Sequence, residues 1–170
     1  MRSQLGDRLP QFSEEEFSLL RESVVDFYGM NYYTAQFARH RQEIASSSDA
    51  CGNIIESQED SSGVSIGVKS GVQCLRPCPT EFRKILGWVF KRYQKPIYVT
   101  ENGCPCPGEE KMTREEAVED GFRINYFESH LDAIAQAINN DSVQVRGYFA
   151  WSLLDNLGSF QSVLLLTSIV

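Results

Sequence analysis

An α/β fold built on a parallel sheet follows from three features of this 170-residue sequence. Strand-like runs rich in β-branched and aromatic residues recur at 26–33, 97–103 and 145–151. Two long segments in which apolar residues recur at intervals of three and four separate the second run from its neighbours on either side. Helices that alternate with buried strands imply parallel pairing through right-handed crossovers.

Each element has its own local reason. Ser13 and Glu16 form a capping box ahead of Phe17, Leu19 and Leu20, which predicts a short helix over 13–23. In the strand Asp26–Tyr33 the period of two puts Phe27, Gly29, Asn31 and Tyr33 on one face and Tyr28, Met30 and Tyr32 on the other. Residues 45–76 are rich in Ser, Gly, Asp and Glu without sustained periodicity, so they read as a long loop excursion, with a small hairpin expected around Val64–Val72. From Pro79, the residues Phe82, Ile85, Leu86, Val89, Phe90 and Tyr93 define an amphipathic helix that ends before Pro96, with Trp88 just off the stripe and expected to serve packing. The strand beginning at Ile97 follows and delivers Glu101, Asn102 and Gly103. Thr113 and Glu116 cap the next helical region, whose stripe is Phe122, Tyr126, Phe127, Leu131, Ile134, Ala135 and Ile138. The last strand is expected to place Val145, Gly147, Phe149 and Trp151 on one face. Three strands cannot close a barrel, and an open parallel sheet of three would leave both edges bare.

Composition limits the function. With 42% hydrophobic and 11% aromatic residues the chain can bury a sizeable core, and a formal net charge of −7 argues against nucleic-acid and anionic-membrane partners. The first residues carry no apolar leader segment and no run approaches the ~18 apolar residues of a membrane span, so a cytoplasmic location is expected. The five cysteines, Cys51, Cys74, Cys78, Cys104 and Cys106, are an odd number and read as free thiols. The spacings Cys74-x3-Cys78 and Cys104-x-Cys106 miss the usual zinc knuckle, and no metal or cofactor is expected. His40 and His130 are expected to be solvated or structural.

The chemistry concentrates at the strand ends. Glu101 sits at the C-terminal lip of a strand, where a barrel enzyme keeps reactive groups, although Asn-Gly after a strand is also ordinary turn chemistry. Asn31 and Tyr33 end the first strand on one face, and Trp151 ends the third. A carboxylate nucleophile for sugar chemistry needs such neighbours: a phenol to hold it, an amide to read a sugar hydroxyl, and an aromatic floor for the ring.

The motifs Asp26-Phe27-Tyr28-Gly29-Met30-Asn31-Tyr32-Tyr33, Tyr98-Val99-Thr100-Glu101-Asn102-Gly103 and Arg146-Gly147-Tyr148-Phe149-Ala150-Trp151-Ser152-Leu153-Leu154-Asp155-Asn156 together resemble glycoside hydrolase family 1, the β-glucosidases, and particularly its fungal members. The resemblance implies that residues 1–157 are the C-terminal part of a (β/α)8 TIM barrel, comprising its sixth to eighth strands with their helices. It implies a retaining β-glucosidase that releases terminal β-D-glucosyl residues from oligosaccharides or glucosides through a covalent glycosyl-enzyme. Glu101 matches the nucleophile, Tyr33 the tyrosine that orients it, Asn31 the neighbouring asparagine, and Trp151 the floor of the glucose subsite. Two departures stand beside these matches. The family's Thr-x-Asn-Glu-Pro motif, which carries the acid/base carboxylate, is absent, and the sugar-binding Glu-Trp that follows Asp-Asn-Leu is replaced by Gly158-Ser159. Residues 158–170 form an apolar tail with no family counterpart, expected from a frame change or read-through intron. A second reading is a non-catalytic truncated product or a sugar-binding remnant. The expected partner is thus a β-glucoside or oligosaccharide.

Overall fold

The computed structural model describes residues 10–23, 25–42 and 53–153. Along the chain it has α1 (Glu14–Glu22), β1 (Tyr28–Asn31), β2 (Phe37–His40), β3 (Ile54–Ser57), α2 (Pro79–Tyr93), β4 (Ile97–Asn102), a 3-10 turn (Glu109–Lys111), α3 (Arg114–Val118), α4 (Gly121–Asp141) and β5 (Val145–Ala150). The strands β1, β4 and β5 form one sheet in that order, both pairings parallel, and no closed barrel forms among the described residues. This is the α/β architecture of an incomplete barrel, with β1 and β5 at its two edges.

Helices cover one face of this sheet. Met30 and Tyr32 from the β1 segment, Ile97 and Val99 from β4, Phe82, Leu86 and Val89 from α2, and Ala133, Ile134 and Ala137 from α4 make a single core, joined by Val143. The alternation expected for the first strand holds: Met30 and Tyr32 are buried, whereas Phe27 on the opposite face is half exposed. Where α2 and α4 pack together, the Arg83 guanidinium pairs with Asp141 at 2.6 Å. Helix α2 ends on Gln94 in the left-handed region (φ 52°), two residues before Pro96. The Ser13–Glu16 capping box forms as the sequence requires.

Five expectations need correction. The hairpin is not at 64–72 but between β2 and β3, which pair antiparallel from Phe37 opposite Ser57 to His40 opposite Ile54. Residues 59–65 instead make a tight loop closed by a single antiparallel bridge between Glu59 and Ser65, in which the Asp60 carboxylate accepts from the Ser62 and Val64 amides. The Thr113–Glu116 box caps only the five residues of α3, while α4 starts afresh on Asp120, whose side chain accepts from the Arg123 amide. The buried stripe of α4 is Arg123, Tyr126, His130, Ala133, Ile134 and Ala137; Leu131 and Ile138 are exposed. Arg123 enters this stripe because Glu109 and Asp120 pair with it, a combination invisible to a hydrophobic pattern. In β5, the register shifts between the pairs Ile97–Val145 and Tyr98–Gly147, so Arg146 is an extra residue. Val145 therefore packs on the helix-side core, while Gly147 lies beside the Tyr98 ring on the other face. Trp88 is 55% exposed and contributes to no core; its ring meets Tyr93 edge-on and Arg92 lies over it.

The described cysteines, Cys74, Cys78, Cys104 and Cys106, are free thiols; Cys51 lies outside the described residues, as does the tail 158–170. Burial pushes the Cys104 thiol up to about 11 and moves Cys78 in the same direction. His40 is exposed in β2, whereas His130 is fully buried in α4. No helix among the described residues is long and apolar enough to cross a membrane.

Candidate active site

Strand β4 ends on Thr100, Glu101 and Asn102, three consecutive side chains with different tasks. The register between β1 and β4 slips after the pair Met30–Val99, so that Asn31 aligns with Glu101 and Thr100 is left over. Thr100 stands on the open face by alternation with buried Val99, and its hydroxyl donates to Asn31 Oδ1 at 2.6 Å. Asn31 is exposed, its carbonyl oxygen held and its amide nitrogen turned away from that bond.

Glu101 is partly buried, and the Tyr33 hydroxyl donates to its Oε2 in a short hydrogen bond. Burial, that bond and the adjacent carboxylate charge all raise the Tyr33 pKa, so the phenol remains a donor throughout the physiological range. The backbone reinforces the pair, because the Tyr32 amide donates to the Glu101 carbonyl at 2.9 Å. A carboxylate fixed through one oxygen by a phenol keeps its other oxygen for chemistry on the open face.

Behind the carboxylate stands Asn102, fully buried. Its Nδ2 donates to the Tyr32 carbonyl and to the Tyr126 hydroxyl, each at 2.7 Å, and its Oδ1 accepts from the Tyr148 hydroxyl at 2.8 Å. One amide thereby ties β4, β5, α4 and the residue after β1 together at the position next to Glu101 in the chain. Sequence reasoning passed over it as turn chemistry, since an Asn before Gly is the usual turn signature. The three tyrosines spaced at strand ends and on the facing helix were the available signal. Gly103 is needed for close approach rather than for a turn: a Cβ there would lie 1.9 Å from the Trp151 carbonyl oxygen. That approach lets the Trp151 amide donate to the Asn102 carbonyl at 2.8 Å and sets Trp151 beside the end of β4. Its side chain is 40% exposed.

Of the four sequence-predicted residues, the structure brings Glu101 and Tyr33 into direct contact, aligns Asn31 with Glu101 across the ladder, and holds Trp151 by its main chain at the neighbouring strand end. Among the described residues no group of three or more His, Cys, Asp or Glu side chains is arranged to hold a metal ion.

A parallel three-stranded α/β sheet with a phenol-held carboxylate at the C-terminal end of its central strand is the arrangement of part of a barrel enzyme's strand-end site. The family model for glycosyl hydrolase family 1 matches residues 1–164, and the chain belongs to that family. Among its relatives, β-glucosidase 1B of Phanerodontia chrysosporium is 40% identical over 156 residues, 92% of this chain but 28% of that protein. The crystal structure of β-glucosidase 2 from Trichoderma reesei in complex with Tris superposes with a TM-score of 0.89 at 44% identity, covering 98% of this chain and 36% of the other. A family 1 β-glucosidase from Humicola insolens in complex with glucose gives a TM-score of 0.86 at 46% identity over 92% of this chain and 33% of the other. The chain thus spans about a third of the length of the relatives it matches.

Proposed function

We propose that this chain carries the nucleophile half of a retaining β-glucosidase site. Glu101 attacks the anomeric carbon of a β-glucosyl unit and forms a covalent glycosyl-enzyme; Tyr33 orients the attacking carboxylate, Asn31 reads a sugar hydroxyl, and Trp151 provides the apolar floor beneath the ring. The observation that carries the reading is the Tyr33–Glu101 hydrogen bond at the C-terminal end of the central strand. Family membership and β-glucosidase relatives support the same substrate class.

Retaining hydrolysis uses a second carboxyl about 5 Å from the first, as acid and then as base. The sequence has no Asn-Glu-Pro motif to supply it. Lacking acid/base help typically costs a factor of about 10² to 10⁴, so the step that this chain can perform alone is the first one, and only with a leaving group that departs without a proton. The test is incubation with a 2-deoxy-2-fluoro-β-glucoside bearing an activated aryl leaving group, followed by peptide mass mapping. A single sugar adduct on Glu101, absent in Glu101→Gln, is the expected result. A folded sample that acquires no adduct overturns the reading and favours the alternative, a sugar-binding remnant, which glucose titration of the Trp151 fluorescence would then reveal.

A further inference from the structure

Asn102-Gly103 is the single Asn-Gly pair in the sequence, and the fold needs both members as they are. Gly103 packs against the Trp151 carbonyl oxygen, which a Cβ would meet at 1.9 Å. Asn102 serves as donor and acceptor together: Nδ2 donates to the Tyr32 carbonyl and the Tyr126 hydroxyl, and Oδ1 accepts from the Tyr148 hydroxyl. An aspartate in its place would have no proton for the Tyr32 carbonyl. Packing and hydrogen bonding thus bring together a dipeptide prone to lose its side-chain amide, because a glycine nitrogen, unshielded by a Cβ, can close on the asparagine Cγ.

The same contacts block that reaction in the folded chain. Attack requires Cγ to swing onto the Gly103 nitrogen, which would break all three side-chain hydrogen bonds at once. The Asn102 main chain is held too, since it lies in β4 and its carbonyl accepts from the Trp151 amide at 2.8 Å. Both residues are buried, so the water that takes the amide proton and later opens the ring is kept out. Two of these restraints, Tyr148 and the Trp151 amide, come from β5 and the residue after it, so separation of β5 from β4 releases the side chain.

We propose that Asn102 is a deamidation site which the native fold guards and which opening of β5 exposes, so that each opening carries a chance of irreversible damage beside Glu101. In the open chain the Gly103 nitrogen gives its proton to water and attacks Cγ. The bond from Cγ to Nδ2 breaks, ammonia leaves, and a cyclic imide forms. Water then adds to either imide carbonyl and leaves an aspartyl or isoaspartyl residue at position 102. Neither product donates to the Tyr32 carbonyl, so refolding would set two oxygens, one of them charged, against each other in a buried contact.

The experiment incubates the full chain in mildly alkaline buffer, with and without denaturing guanidinium, and follows the peptide containing Asn102 by mass mapping and isoaspartate analysis. Conversion is expected to be at least about tenfold slower in native buffer. Tyr148→Phe keeps the ring and removes the donor to Oδ1, so it should speed conversion several-fold in native buffer and leave the rate in guanidinium unchanged. Ile134→Val loosens the core away from this network and should convert at nearly the parent rate. After removal of guanidinium, converted chains should refold with a lower denaturation midpoint than unconverted chains from the same sample. Equal rates in the two solutions, an Ile134→Val chain accelerated as much as Tyr148→Phe, or converted chains with the parent midpoint would overturn the proposal.

Discussion

The two faces of the β1–β4–β5 sheet are made by the same strands and differ in nearly everything else. On the helix side, Phe82, Leu86, Ile97 and Val99 have almost no exposure and pack as one core. On the other side, Phe27 and Phe149 are 51% and 58% exposed, and the polar groups Thr100, Asn31 and Glu101 gather at the strand ends. The difference teaches that the stability of this chain resides on the helix side, while its candidate chemistry stands on a face with little packing to hold it. What connects the two is Asn102, buried among helix-side tyrosines yet adjacent to Glu101 in the chain.

Paired truncations would break the comparison most directly. Phe82→Ala should lose about 3–5 kcal/mol in urea denaturation, whereas Phe149→Ala should change stability by less than about 0.5 kcal/mol. Equal losses would mean that the open face is packed in solution. A second measurement sharpens the contrast through His130, which lies fully buried on the helix side, stacked on Tyr126, with Nδ1 toward the Tyr126 carbonyl and, among the described residues, no hydrogen-bond partner for Nε2. Burial depresses its pKa from 6.5 to about 4. The unfolded chain therefore takes up the proton first, so the contribution of neutral His130 is fully present above pH ~6.5 and is lost as pH falls toward 4, by up to roughly 3 kcal/mol. The midpoint of urea denaturation should fall over that window, and His130→Leu should flatten the fall.

Smaller effects test the connection between the faces. Asn102→Ala strands the Tyr32 carbonyl and two tyrosine hydroxyls without their buried partner, and should cost about 2 kcal/mol in denaturation while slowing sugar labelling of Glu101. Intact labelling would show that the helix side does not position the carboxylate. Tyr33→Phe keeps the ring and removes only the donor to Glu101, so a roughly tenfold slower labelling rate is expected with stability nearly unchanged.

The sites where reading from sequence succeeded and failed divide along physical lines. Helix α2, the β1 alternation and the α1 capping box were legible because each depends on neighbours within one or two turns or on strict alternation. Glu101, Asn31, Tyr33 and Trp151 were legible as strand-end residues, and their joint meaning came from three motifs in order. The β2–β3 hairpin was not legible, since its strands are four residues each and the segment between them is long and polar. Nor was the buried stripe of α4: a charged residue belongs to it only because Glu109 and Asp120 come together around Arg123.

By itself, then, the sequence determined the strands β1, β4 and β5, the helices α1 and α2, and which side chains stand at the strand ends, because periodicity and capping are local. Only the tertiary structure decided that Tyr33 reaches Glu101, that Arg146 is an extra residue which turns Val145 to the core, and that Asn102 is a buried hub rather than a turn. Register slips of one residue between strands far apart in the chain set those facts, and no local pattern encodes where such a slip will fall.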